Sequence, residues 1–196
     1  MSEYQYYEFR AIDRPLDDKA QRALRRLSSR ATISPTRFTN FYNYADFRGN
    51  PATLVERYFD AFLHFTNWGT RQLSFRLPRA RFDAKAAAPF CDGNVVSLRT
   101  RGEHVVVDLL IEDEEAERWE GIEEGEEALE PLLGLREDLL AGDLRPLYLG
   151  WLLCVAYGEI DQADREPPVP PGLGALGPSQ QALVEFLRLD GHLVEA

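Results

Sequence analysis

Apolar residues recur along the first eighty positions in two rhythms, and each change of rhythm marks a new element. Residues 4–12 (YQYYEFRAI) alternate with period two, which predicts a strand with Tyr7, Phe9 and Ala11 on one side and Tyr6, Glu8 and Arg10 on the other. Asp13-Arg14-Pro15 breaks it. Leu16, Ala20, Ala23, Leu24 and Leu27 then repeat at helical spacing, so residues 16–28 are predicted helical. Asp17 and Asp18 in the first turn and Arg25, Arg26 and Arg30 near the end match the helix dipole. A short extended piece at 31–34 precedes a predicted strand at 36–44.

Asn50 is a good N-cap, and Pro51 fits the first helical position, where its missing N–H costs nothing. The stripe Leu54, Tyr58, Ala61, Phe62 and Phe65 predicts a helix over 51–65, stopped by Asn67-Trp68-Gly69. Residues 70–77 return to alternation, with Leu73, Phe75 and Leu77 on one face and Gln72, Ser74 and Arg76 on the other. Two further strands, 95–100 and 104–111, flank the turn Arg101-Gly102-Glu103 and predict a hairpin. Helices are expected at 126–140, 143–158 and 180–189, the last capped by Ser179. Between them lies a connector with the polyproline run Pro167-Pro168-Val169-Pro170-Pro171.

The order β-α-β-(β)-α-β followed by a hairpin and helices predicts an α+β fold. The expected form is a ferredoxin-like or split β-α-β sheet domain extended by a β-hairpin, with a C-terminal helical part packed on it. The expected layout is a sheet domain at 1–111, an acidic loop at 112–125 and a helical part at 126–196.

Composition sharpens this. The 196 residues are 44% hydrophobic and 28% charged, ordinary values for a globular chain. Residues 1–110 carry 17 basic and 12 acidic side chains, whereas 111–196 carry 5 and 21, and residues 111–130 alone hold 11 acids against one Arg. A net charge of −11 argues against tight nonspecific binding to nucleic acid, while the basic front half leaves a local basic face possible. No apolar run is long enough to span a bilayer, and the first residues lack the basic and apolar regions of a signal peptide. Cys91 and Cys154 are far apart and are read as reduced, in a cytoplasmic protein.

Specific chemistry is thin. His64, His104 and His192 are isolated, and no zinc spacing occurs. Residues 172–177 (GLGALG) contain GxGxxG, but they follow prolines rather than a strand. No cofactor, metal or catalytic set is therefore expected. The turn Tyr44 to Asn50 joins a strand to a helix start, where an anion or a partner side chain could settle. Tyr44, Asp46, Arg48, Asp60, Asn67 and Trp68 are the candidate ligand- or partner-binding residues. Glu114, Glu115 and Trp119 in the acidic run form a candidate surface for a basic partner. A third candidate is an open sheet face carrying Tyr6, Glu8, Arg10, Gln72, Ser74 and Arg76, a platform of the kind that stacks single-stranded bases.

The opening YYEFRAIDRPL, the block NWGTRQLSFRLP and the later GDLRPLYLGWL and EPPVPPGL resemble a family of uncharacterised bacterial proteins. The resemblance covers most of the chain and implies a bacterial, soluble, intracellular protein; it transfers no activity and no catalytic residue. The residues favour a non-enzymatic interaction or accessory subunit whose partner is another protein. The alternatives are a ligand-binding protein or enzyme using the Asp46–Arg48 hinge, and single-stranded nucleic-acid binding by the sheet face.

Overall fold

The structure, a computed structural model, describes residues 4–43, 47–91, 94–112, 128–160 and 165–195. The fold is mixed α+β, and the chain divides into two compact units: residues 1–76 with 111–129, and residues 77–110 with 130–196.

The first unit contains β1 (Tyr4–Arg10), α1 (Asp18–Leu27), β2 (Thr32–Ile33), β3 (Arg37–Asn43), α2 (Pro51–Arg57), β4 (Ala61–Thr66) and most of β5 (Thr70–Pro78). Its strands lie in the order β2-β3-β1-β4-β5, and the described pairings are antiparallel. The aromatic β1 lies between β3 and β4, and Gln5, Tyr6, Tyr7, Glu8 and Phe9 are all buried. Residues opposite one another in an antiparallel pair share a face. One face thus carries Phe9, Phe38, Phe62 and Ser74; the other carries Tyr6, Phe41, Phe65 and, by alternation, Leu73. Phe9 anchors the first face, stacked on Phe62 (centroids 4.4 Å apart), tilted against Phe59 (5.0 Å) and edge-on to Phe38 (5.5 Å). Helix α1 buries Ala20 and Leu24, and the Asp17 side chain caps it by accepting from the Ala20 amide at 2.7 Å.

The helix expected over 51–65 is half helix and half strand. Asn50 caps α2 as expected, accepting from the Thr53 amide at 3.0 Å. The Tyr58 and Phe59 amides both return to the Leu54 carbonyl, at 2.8 and 3.2 Å, and the helix ends there. Residues 61–66 then form β4 between β1 and β5. Ala61 and Phe65 lie on one face with Tyr6, and Phe62 on the other with Phe9, so the apparent helical stripe spans two faces of a strand. A strand buried on both faces loses the alternation that would reveal it. Gly69 does not stop a helix; at φ 114° it closes the β4–β5 hairpin.

In the second unit the last residues of β5 open an order β5-β7-β6, with β6 (Val96–Arg101) and β7 (His104–Glu112) forming the expected antiparallel hairpin. Gly102 supplies the positive φ (56°) of its turn. Short α3 (Ala84–Ala87) precedes the hairpin, and α4 (Gly134–Leu140), α5 (Arg145–Ala156), α6 (Pro178–Leu187) and α7 (Gly191–Glu195) follow it. Helix α5 is buried at every position from Pro146 to Cys154, which explains why it is apolar all round. Gly150 lets it approach β6: a Cβ there would meet Val96 Cγ2 at 2.5 Å. The cap of α6 is Gly177, two residues before the expected Ser179, because Pro178 takes the first helical position. Among the described residues no single helix is long and apolar enough to cross a membrane.

Candidate functional site

Of the expected hinge site, Arg48, Asp60, Asn67 and Trp68 are described. Tyr44 and Asp46 lie outside the described residues, as do Glu114, Glu115 and Trp119 of the acidic run. Arg48 is exposed. Asp60 and Asn67 bracket β4, and at ~3.3 Å per residue an extended chain separates them by roughly 23 Å. They therefore serve two different places.

Asn67 and Trp68 form the tip of the β4–β5 hairpin. Asn67 is pinned to the start of β1 from both sides: its Oδ1 accepts from the Tyr4 amide at 3.0 Å, and its own amide donates to the Tyr4 carbonyl at 3.2 Å. The Thr70 amide donates to Thr66 Oγ1 at 2.9 Å and closes the turn. Trp68 is thereby held on a fixed backbone with 44% of its surface exposed.

Asp60 is buried and saturated. Its Oδ2 accepts from the Ile12 and Asp13 amides at 2.7 and 2.9 Å, and its Oδ1 from Arg76 Nη2 at 2.6 Å. Arg76 Nη1 also donates to the Glu56 carbonyl at 3.0 Å, beside the end of α2. The carboxylate ties the segment after β1 to the end of β5 and holds the Arg76 guanidinium in place. Arg76 lines a cleft of about 410 Å³, together with Arg14, Asp17 and Lys19 from the start of α1, Arg57 and Tyr58 from the end of α2, and the apolar Pro15, Leu16, Ala20 and Ala23. Arg57 lies over the Tyr58 ring, 5.0 Å from its centroid. This cleft was missed from the sequence because its cations come from three separated segments. The one available signal was the basic balance of the front half.

The open sheet face is not a single surface. The register puts Tyr6, Glu8 and Arg10 on one side of the sheet and Gln72 and Ser74 on the other, since Ser74 faces Phe62 and Phe62 faces Phe9. Tyr6, Glu8 and Ser74 are also buried. Glu8 instead centres a charge network. It accepts from Tyr6 Oη at 2.9 Å, Arg10 Nε at 2.8 Å and the Leu129 amide at 3.1 Å, and Arg37 Nε lies 3.3 Å away. Burial, followed by the Glu8 charge, pushes the Tyr6 hydroxyl well above the ordinary tyrosine range, so it remains a donor.

His64 is on β4, stacked on Tyr7 at 4.3 Å and with Nε2 3.3 Å from Gln5 Oε1. Burial pulls its pKa down to about 4, so the ring is neutral at pH 7. Cys154 is buried and Cys91 half-buried, both as free thiols, and burial pushes the Cys154 thiol up. Among the described residues no three His, Cys, Asp or Glu side chains come together as a metal site.

A second polar cluster orders the 172–177 loop of the second unit. Arg145 forms a fork on Asp143, with Nη2 at 2.6 Å and Nε at 3.0 Å, while its Nη1 donates to the Gly172 and Ala175 carbonyls. Buried Gln180 donates to both Asp138 (3.0 Å) and Asp143 (2.9 Å). Burial raises the Asp143 carboxyl, but the Arg145 hydrogen bonds outweigh it and the net pKa is lowered. Asp138 is raised, first by burial and further by the neighbouring Asp143 charge. The GxGxxG segment is thus a loop clipped by Arg145, with a short helical turn at Leu173–Ala175.

Comparison with models of protein families, with curated proteins and with solved structures gave no match.

Proposed function

We propose that the protein works by binding, as a non-enzymatic interaction or accessory subunit of the bacterial cytoplasm, and that its partner is another protein. The observation that carries this reading is Trp68. A large aromatic side chain stands exposed on a hairpin tip whose backbone is fixed by hydrogen bonds among Tyr4, Thr66, Asn67 and Thr70. Tryptophan is the residue most enriched at the energetic centre of protein interfaces, and a rigid mount avoids part of the ordering entropy of association. Asn67 acts through Trp68, as its mount.

The reading treats the first unit as a ferredoxin-like sheet with one added strand. The run β1-α1-β2-β3-α2-β4, with β1 flanked by β3 and β4, supports that assignment.

The test is an affinity pull-down with the full chain at physiological salt, beside light scattering. A stable partner recovered by the parent chain and lost with Trp68→Ala, at unchanged melting temperature, supports the reading. A monomer that recovers no partner, or a partner retained by Trp68→Ala, overturns it.

A further inference from the structure

We propose that the cleft beside α1 binds the phosphate group of a small phosphorylated molecule. Four cations line it, Arg14, Lys19, Arg57 and Arg76, against one carboxylate, Asp17. Arg76 is already compensated by Asp60, and one Asp17 oxygen is committed to the Ala20 amide. Among the described residues, Arg14, Lys19 and Arg57 form no ion pair.

Three cations with no ion-pair partner among the described residues repel each other around one hollow, and an anion seated among them converts that repulsion into attraction. Their number selects the anion. A carboxylate brings one charge and two acceptor oxygens, whereas a phosphate monoester brings about −1.5 to −2 and three oxygens. The guanidinium forks of Arg14 and Arg57 suit phosphate oxygens bidentately. Stacking on Tyr58 holds the Arg57 plane and reduces the entropy lost on binding.

Size and surroundings make the ligand small. A volume of about 410 Å³ falls within the roughly 300–1,000 Å³ of small-molecule sites. Pro15, Leu16, Ala20, Ala23 and Tyr58 offer an apolar wall to the part of the ligand that carries the phosphate. A long polyanion would also meet a chain of net charge −11, while a small one feels only charges within the ~8 Å screening length at physiological salt. The site is independent of Trp68, which lies beyond the far end of β4.

The test is calorimetric titration of the full chain at low salt with AMP, inorganic phosphate and malonate. AMP is expected to bind saturably and most tightly, with malonate weakest. Arg57→Ala and Lys19→Ala should each weaken AMP binding about tenfold, the size of one charge-assisted hydrogen bond. Arg57→Lys, which keeps the charge and loses the fork, should weaken it less. Arg22→Ala, exposed on α1 outside the cleft, should leave it unchanged. No saturable binding of either phosphate probe, or equal weakening by Arg22→Ala, overturns the site. Tighter binding of malonate, or inorganic phosphate binding as tightly as AMP, overturns the assignment to a phosphorylated molecule.

Discussion

Asp60 and Arg76 are joined twice, by backbone and by side chain. The Arg76 amide donates to the Asp60 carbonyl at 2.8 Å, and the Arg76 guanidinium reaches Asp60 Oδ1 through Nη2 at 2.6 Å and Nε at 3.2 Å. The backbone bond continues the β4–β5 ladder by one step, and the ion pair locks its end. With 1% of its side chain exposed, Asp60 has no water to replace a lost partner. Arg76→Ala should cost about 3–5 kcal/mol, because it leaves a buried carboxylate with two backbone donors and no cation. Asp60→Asn should cost less, since an amide oxygen still accepts. Urea denaturation of the two variants checks the ranking; equal, small effects would contradict it.

Acid should weaken the first unit through His64. Its folded pKa lies near 4, below the ordinary histidine value of 6.5. Between those pH values the unfolded chain takes up a proton that the folded chain refuses, so stability is full above pH 6.5 and falls as pH drops towards 4. Below that the contribution is constant. The change should be about 2 kcal/mol after allowance for partial exposure, each pKa unit being worth about 1.4. His64→Gln removes the titration, so the difference in unfolding free energy between the two proteins should shift across this window. A flat difference would place the imidazole in water rather than against Tyr7.

Two effects compete at Gly150. Alanine in a helix interior gains about 1 kcal/mol over glycine. The new Cβ would sit 2.5 Å from Val96 Cγ2 and 3.3 Å from Leu109 Cδ2, an overpacking that costs about 1–3 kcal/mol. Gly150→Ala should therefore destabilise the second unit in the parent chain. In a Val96→Ala background the same change should become neutral or stabilising. A thermodynamic cycle over the two positions reads the sign directly.

Arg145→Ala should release the loop at 172–177 without unfolding the second unit. The Arg145–Asp143 pair is about one-fifth exposed on each side, so its loss should cost only about 1 kcal/mol at neutral pH. Hydrogen exchange at the Ala175 amide, which donates to the Gly172 carbonyl, should accelerate. The Asp143 carboxyl should titrate higher than in the parent chain, because Arg145 is what lowers it. A lowered carboxyl stabilises above its unfolded pKa and loses that contribution as pH falls, so the variant's deficit should shrink in acid.

Elements whose apolar residues keep to one face were legible in the sequence. Helix α1 shows Ala20 and Leu24 at helical spacing, and β5 alternates strictly through Leu73, Phe75 and Leu77. Asn50-Pro51 announced the start of α2 because capping is local chemistry. What failed was β4, where AFLHFT is apolar on both sides, so its spacing fits a helix as well as a strand. The faces of the sheet failed for a related reason. Alternation tells which residues of one strand share a side, but only the register between strands tells which sides coincide. Glu8 and Ser74 look like solvent positions, yet each is buried, Glu8 within an ion network and Ser74 opposite Phe62 in the β4–β5 register. Of the candidate residues, Asn67 and Trp68 stood out as a polar stop, and Asp60 was named only as part of the hinge. The pairing of Asp60 with Arg76, sixteen residues away, belongs to tertiary structure alone.

Glu8 sets a condition on the order of events during synthesis. Its partners Tyr6, Arg10 and Arg37 all leave the ribosome early, but the Leu129 amide that completes its coordination is 121 residues downstream. The first unit is written in two instalments, broken off at Arg76 and resumed at Ile111. At ~10 residues per second, roughly 5 s pass between emergence of Arg76 and of Leu129. For that interval the nascent first unit holds its central carboxylate one donor short, and only the second instalment seals it.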